Sequence, residues 1–232
     1  MAQTPNEILT RAGDILQDQT NVRWAQAELL RYLNDGRREL AIHRPDIYSA
    51  TFVMTLAAGS QQTIPTDGNR FLDAVRNVSS AGVVGRAVRV VEREILDAQL
   101  PDWHTETSST SLKHFMFDER SPKTFYVYPP AVVGHKLEIV YSKSPVDVTT
   151  GDLSSTSILQ SEDIYSGVLL DYILYRAFSK DSEYAGNLQR AGVHYQMFAN
   201  SLGIGNRRRI STSPNVTNMD GVPPKSAQLD MA

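Results

Sequence analysis

The sequence predicts an α+β fold. An antiparallel helical bundle built from both chain ends carries an inserted antiparallel β region and an extended C-terminal arm. Three observations point there. Apolar residues recur at helical spacing near both ends of the 232-residue chain. The middle switches to alternation rich in Val, Phe and Tyr, broken by Pro and Gly. After Gly203 periodicity stops. The implied boundaries are 1–48 with 158–202 for the bundle, 49–157 for the β region, and 203–232 for the arm.

The first element is an amphipathic helix in which Ile8, Leu9, Ala12, Ile15 and Leu16 share a face. This opening alternates polar and apolar residues as such a helix does, unlike a signal peptide. A second helix follows over residues 23–46. Leu29, Leu33, Gly36 and Leu40 draw one stripe along it, with Trp24 near its start, and these five are the candidate helix-packing residues. Pro45 ends it, because a residue before proline avoids the helical region. Gly36 costs about 1 kcal/mol relative to alanine, so its place in the stripe predicts a close approach of another helix.

The β region begins with Thr51–Leu56, where Phe52, Met54 and Leu56 point to one side. Gln62–Pro65 reads as a short partner after the Gly59-Ser60 turn. Ala87–Glu92 is a strand, followed by a short helix over Glu94–Gln99. Leu112–Phe117, Thr124–Tyr128 and Lys136–Tyr141 are three more strands. Short connections make the sheet antiparallel. In the C-terminal third, Ile164, Val168, Leu169, Ile173 and Leu174 form one helical stripe. Leu188, Ala191, Tyr195, Phe198 and Leu202 form the next, with Ser182 as its cap and Gly203 as its stop.

Composition excludes several classes of function. There is no cysteine, hence no disulfide, thiolate nucleophile or zinc-thiolate site, which suits synthesis in a cytoplasm. No apolar run approaches the roughly 20 residues of a membrane span. His43, His104, His114, His135 and His194 show no metal-ligand spacing. Nucleophile-elbow and phosphate-loop motifs are absent, and Gly82-Val83-Val84-Gly85 reads as a turn. No cofactor is expected. Charge is uneven: four basic against two acidic residues make the tail from Gly203 +2, so within a formal total of −3 the body is −5. Two surfaces with different partners follow from that asymmetry. The tail carries no aromatic residue for base stacking, so Arg207, Arg208 and Arg209 suit a short segment docking in an acidic protein groove better than DNA.

Two clusters resemble acid–base chemistry. One is Glu92, Glu94 and Asp97 beside Arg89 and Arg93, which also reads as the start of a solvated helix. The other is Asp118, Glu119 and Arg120, with His114 upstream, inside FMFDERSPKTFYVYPP (115–130). Strand alternation on both sides and turn formers between make the second a hairpin tip. Asp118, Glu119, Arg120 and Lys123 are then candidate contact residues at a loop tip.

Five stretches in series, RWAQAELLRYLNDGRREL, QQTIPTDGNRFLDAVRNV, GRAVRVVEREILDAQLPDWHT, HFMFDERSPKTFYVYPP and LEIVYSKSP, resemble the head-to-tail adaptor (connector) proteins of tailed bacteriophages over residues 16–199. The resemblance implies a virion part without enzymatic activity, made in the host cytoplasm and placed at the head–tail junction. It implies a homo-oligomeric ring, usually of twelve copies, between the portal protein and tail or nozzle proteins, with genomic DNA passing through it. It also gives the basic tail a role, as an arm reaching the portal through Ile204, Arg207, Arg208, Arg209 and Ile210, and makes the hairpin-tip residues Asp118, Glu119, Arg120 and Lys123 candidate contacts with a neighbouring subunit or a tail protein. A neck or tail-completion protein further from the portal, or a nucleic-acid-binding module, is the alternative. The chain departs from the family at Ala25, where a Ser or Thr cap completed by Glu28 is expected. That leaves Thr20 or Asn21 to cap the second helix.

Overall fold

A computed structural model describes residues 3–118, 120–159, 162–181 and 185–212, with side chains as far as residue 203 except that of Ala185. The chain divides into two compact units. One holds the residues up to Arg37 and from Val148 onward, and the other holds Arg38–Asp147.

In the first unit α1 (Pro5–Leu16) opens with a capping box. Thr4 Oγ1 accepts from the Glu7 amide (3.2 Å), and Glu7 Oε2 accepts from the Thr4 amide (2.8 Å). Pro5 takes the first helical position, where a missing N–H costs nothing. Ile8, Leu9, Ala12 and Leu16 are buried, whereas Ile15 is half exposed.

Helix α2 (Gln26–His43) starts later and ends earlier than the expected 23–46. Neither Thr20 nor Asn21 caps it. The Ala25 carbonyl receives its first amides, from Glu28 and Leu29. Asp18 organises the approach instead: its carboxylate accepts from the amides of Val22 (2.9 Å), Arg23 (2.8 Å) and Trp24 (2.8 Å). Those bonds, that from Trp24 foremost, hold its carboxyl below the usual range.

Helix α4 (Ser166–Lys180) packs on α1 and on α5 (Ala185–Thr212). Along α4 and α5, Tyr172 meets Phe198, Tyr175 meets Tyr195, and Phe178 stacks on His194, with ring centroids 5.1, 5.0 and 5.8 Å apart. The opposed numbering makes the two helices antiparallel. Ser182, the expected cap, lies outside the described residues. Gly203 does not stop α5, which continues to Thr212, so the expected extended arm is helical over 203–212. Gly203 lacks the positive φ of a helix stop. Arg207–Arg209 are good helix formers, and no proline intervenes before Pro214. Residues 213–232 lie outside the described residues.

The second unit contains two four-stranded sheets rather than one. The first runs β1 (Ser49–Thr55), β8 (Lys136–Lys143), β3 (Gly68–Val78), β4 (Val84–Ala87), all antiparallel. The second runs β2 (Gly59–Thr63), β7 (Thr124–Ala131), β6 (His114–Phe117), β5 (Arg89–Val90), with β5 parallel to β6. The expected Ala87–Glu92 strand is thus split between the two sheets. Helix α3 (Arg93–Gln99) follows it. Between the sheets, Phe71 of β3 stacks on Phe125 of β7 at 4.3 Å and meets Phe115 of β6 edge-on at 5.6 Å. Met54, Leu56, Leu137 and Ile139 belong to the same core.

Candidate docking surfaces

The Asp118 cluster is a hairpin tip. Asp118 Oδ1 accepts the Arg120 amide (2.9 Å), and the Asp118 carbonyl accepts the Ser121 amide (3.0 Å). This is the side-chain-to-backbone turn of an aspartate. The Arg120 guanidinium closes on the same carboxylate at 2.9 Å and holds the Asp118 carboxyl below its usual range. Behind the tip, the Pro122 carbonyl accepts from Phe71 of β3 (2.8 Å) and the Lys123 carbonyl from Ile64 (3.0 Å). The tip is therefore tied to both sheets through its backbone. Glu119 lies outside the described residues.

His114 belongs to another place. It pairs with Tyr128 at the far end of β6 and stacks on that ring at 6.2 Å. It lies four residue steps from Asp118, about 13 Å along the strand. Burial, helped by Arg86 and Lys113, lowers its pKa. A base and an acid that far apart cannot share one proton-transfer step.

The structure does join the two carboxylate clusters. Glu92, Arg93, Glu94 and Asp97 of the α3 region line an open groove of about 440 Å³ with Met116, Phe117, Asp118, Arg120 and Tyr126 of the hairpin. Two of the carboxylates there, Asp97 and Asp118, serve the protein's own donors. Asp97 accepts Trp103 Nε1 (2.8 Å) and Arg93 Nε (3.2 Å), and the Trp103 bond foremost lowers its pKa. Arg93 also lies over the Tyr126 ring at 5.6 Å. Groups kept ionised this way make poor general acids at neutral pH. The groove presents fixed charge around an aromatic floor, which is the chemistry of a docking surface.

The helix-packing residues occupy distinct surroundings. Trp24 is buried and donates Nε1 to the Ala177 carbonyl of α4 at 3.2 Å. Leu29, Leu33 and Leu40 are buried. Gly36 lies against Tyr172: a Cβ there would sit 2.9 Å from Cδ1 and 3.3 Å from Cβ of that residue. Gly36→Ala is accordingly expected to destabilise by about 1–3 kcal/mol through overpacking, despite the better helix propensity of alanine. Chemical denaturation checks this, and a gain in stability would show that Tyr172 can retreat freely.

Some determinants have no sequence motif. Asn77 Nδ2 donates to the carbonyls of Arg86 and Leu112, while its Oδ1 accepts from the Leu112 amide, all at 2.8 Å, and also meets His135 Nε2. It pins the loop before β6 to β3. Arg37 and Glu162 form a buried ion pair, 125 residues apart in sequence. Among the described residues no group of three or more His, Asp or Glu side chains could hold a metal ion, and no helix is long and apolar enough to cross a membrane. The arm residues Ile204, Arg207, Arg208, Arg209 and Ile210 lie on the backbone of α5, with side chains outside the described residues.

No curated protein matches the chain. A family model described as SU10 adaptor protein matches residues 3–218.

Proposed function

We propose, because this chain belongs to the SU10 adaptor protein family, a phage head-to-tail adaptor family, that copies of it form a ring joining portal to tail and continuing the DNA channel. The match over residues 3–218 carries this reading. The family is a structural one, not an enzyme class, and implies a virion component in contact with portal and tail proteins. A ring requires each copy to present one surface to the left and a complementary one to the right, because only head-to-tail contacts close a cyclic assembly of more than two. Twelve copies is the number the family resemblance implies.

Each of the two units has a surface suited to one partner. The end of α5, from Ile204 through Arg207–Arg209 to Ile210, combines cations with flanking apolar residues and suits an acidic groove on the portal. The hairpin tip at Asp118, Arg120 and Lys123, with the groove beside it, suits a tail protein or the neighbouring copy. The acidic body suits a wall past which DNA must slide, since like charge prevents adhesion.

Deleting Ile204–Ala232 is expected to abolish co-purification with portal rings while leaving the circular dichroism of the remainder unchanged. A truncated protein that still co-purifies rules out the docking role of this segment. Cryo-electron microscopy of the full-length complex locates the ring relative to the portal and reads the charge of its channel. A basic channel wall would overturn the sliding argument.

A further inference from the structure

Strand β1 is an edge strand of its sheet, and among the described residues none pairs with its outer side. Its ladder to β8 runs from Ser49↔Ser142 to Thr55↔Lys136 without a register shift. Lys143 donates to the Tyr48 carbonyl before the ladder, and Leu56 donates to the His135 carbonyl after it. Hydrogen-bonded pairs alternate in an antiparallel ladder. Residues 50, 52 and 54 therefore bond to β8, and Thr51, Val53 and Thr55 turn their N–H and C=O groups outward. Among the described residues no partner meets those outward groups. Edge strands are normally blunted by charge, proline, a bulge or shortness. The opposite edge of this sheet, β4, is four residues long, contains Arg86 and pairs irregularly. β1 is seven residues, SATFVMT, with no charge and no proline. Phe52 and Val53, on its two faces, are 47% and 42% exposed.

We propose that the β1 edge receives residues 215–219 of a neighbouring copy as an added antiparallel strand. This rests on the reading above that copies assemble side by side. The occupant must supply alternate N–H groups, so it lacks proline, and it must not bury a charge beside an uncharged edge. Beyond Thr212 the chain continues for residues 213–232, which span up to about 70 Å when extended. Within them Pro214, Pro223 and Pro224 cannot pair, and Asp220, Lys225 and Asp230 are charged. Asn215-Val216-Thr217-Asn218-Met219 is the run free of both that also carries β-branched residues, which favour strands. A strand given in one direction around the ring is a head-to-tail contact, as closure requires.

The absence of cysteine makes the test clean. Val53 and Val216 placed opposite each other in a hydrogen-bonded pair have Cα atoms about 5.5 Å apart, within disulfide range. The full-length Val53→Cys/Val216→Cys protein, assembled with portal and oxidised, is expected to give a ladder of covalent multimers on non-reducing gels. Val53→Pro removes one outward N–H and leaves the β8 ladder intact. It is expected to weaken assembly at least tenfold, with unchanged circular dichroism. Rings that form without cross-links, cross-links confined to single chains, or wild-type assembly by Val53→Pro each overturn the inference while the adaptor reading stands. Failure of the unsubstituted protein to form rings at all overturns both.

Discussion

Arg37→Ala costs the helical unit about 3–5 kcal/mol, the expected loss when one partner of a buried ion pair is removed. Arg37 Nε donates to Glu162 Oε2 at 2.8 Å and Nη2 to Glu162 Oε1 at 2.9 Å, with the two side chains 4% and 1% exposed. Alanine leaves the carboxylate of Glu162 dry and unmatched. It also takes a donor from the Ile158 carbonyl, which Nη2 reaches at 3.4 Å. The next residue provides the control. Arg38 Nη2 donates to both carboxylate oxygens of Asp147 at 2.6 Å, a shorter pair, but the side chains are 50% and 55% exposed. Water screens that pair, and Arg38→Ala is expected to cost at most about 1 kcal/mol. Urea denaturation followed by helical ellipticity separates the two. Equal losses would mean that burial does not amplify the Arg37 pair. The double variant Arg37→Met/Glu162→Leu is expected to recover most of the lost stability, because a buried pair stabilises little relative to apolar residues of similar size.

The helices were legible because their apolar residues obey a single period. Ile8, Leu9, Ala12 and Leu16, and then Leu29, Leu33 and Leu40, are buried as their spacing predicts. The longest strand was not legible. Gly68, Phe71, Ala74 and Asn77 of β3 are buried, a spacing of three rather than two. The cause is in the ladder to β8, where the register shifts between Gly68 and Arg70, between Phe71 and Asp73, and between Ala74 and Arg76. Each irregularity adds a residue and resets which side chains face the core, so alternation disappears from the sequence although the strand is continuous. Helix α5 shows a different limit. Glycine often ends helices, but among the described residues no neighbouring atom lies within 4 Å of where a Cβ on Gly203 would sit. The sequence does not reveal whether a glycine is used for its freedom or merely tolerated.

The candidate surface divides in the same way. Asp118, Arg120 and the proline at 122 announce a turn through local chemistry, so the tip was readable. Its neighbour was not. Nothing in the spacing of Glu92, Glu94 and Asp97 says that they lie beside residues 116–126. That proximity comes from the parallel pairing of β5 with β6, which places the start of α3 against the hairpin. Ion pairs joining distant segments, such as Arg37 with Glu162, are invisible for the same reason: each residue alone looks like an ordinary surface charge.

Trp103→Ala is expected to destabilise the β unit by about 3–5 kcal/mol, the range for deleting a buried aromatic side chain. Trp103 is fully buried in a short helical turn, packed with Leu96 of α3 and Met116 of β6. Its ring stacks on His104 at 3.6 Å and meets Tyr126 and Tyr128 edge-on at 6.2 and 6.4 Å. Its Nε1 donates to Asp97, the carboxylate that also receives Arg93. One side chain thus fastens α3, and the charged groove built on it, to the hairpin. Trp103→Phe keeps much of the apolar volume and loses the bond to Asp97, which water can replace because that side chain is 44% exposed. It should therefore cost distinctly less than alanine. Denaturation followed by near-ultraviolet circular dichroism measures both. If phenylalanine proves as damaging as alanine, the hydrogen bond to Asp97 rather than packing is what holds the groove in place. If neither variant loses stability, Trp103 is not the fastening point, and the groove must be held through the parallel β5–β6 pairing alone.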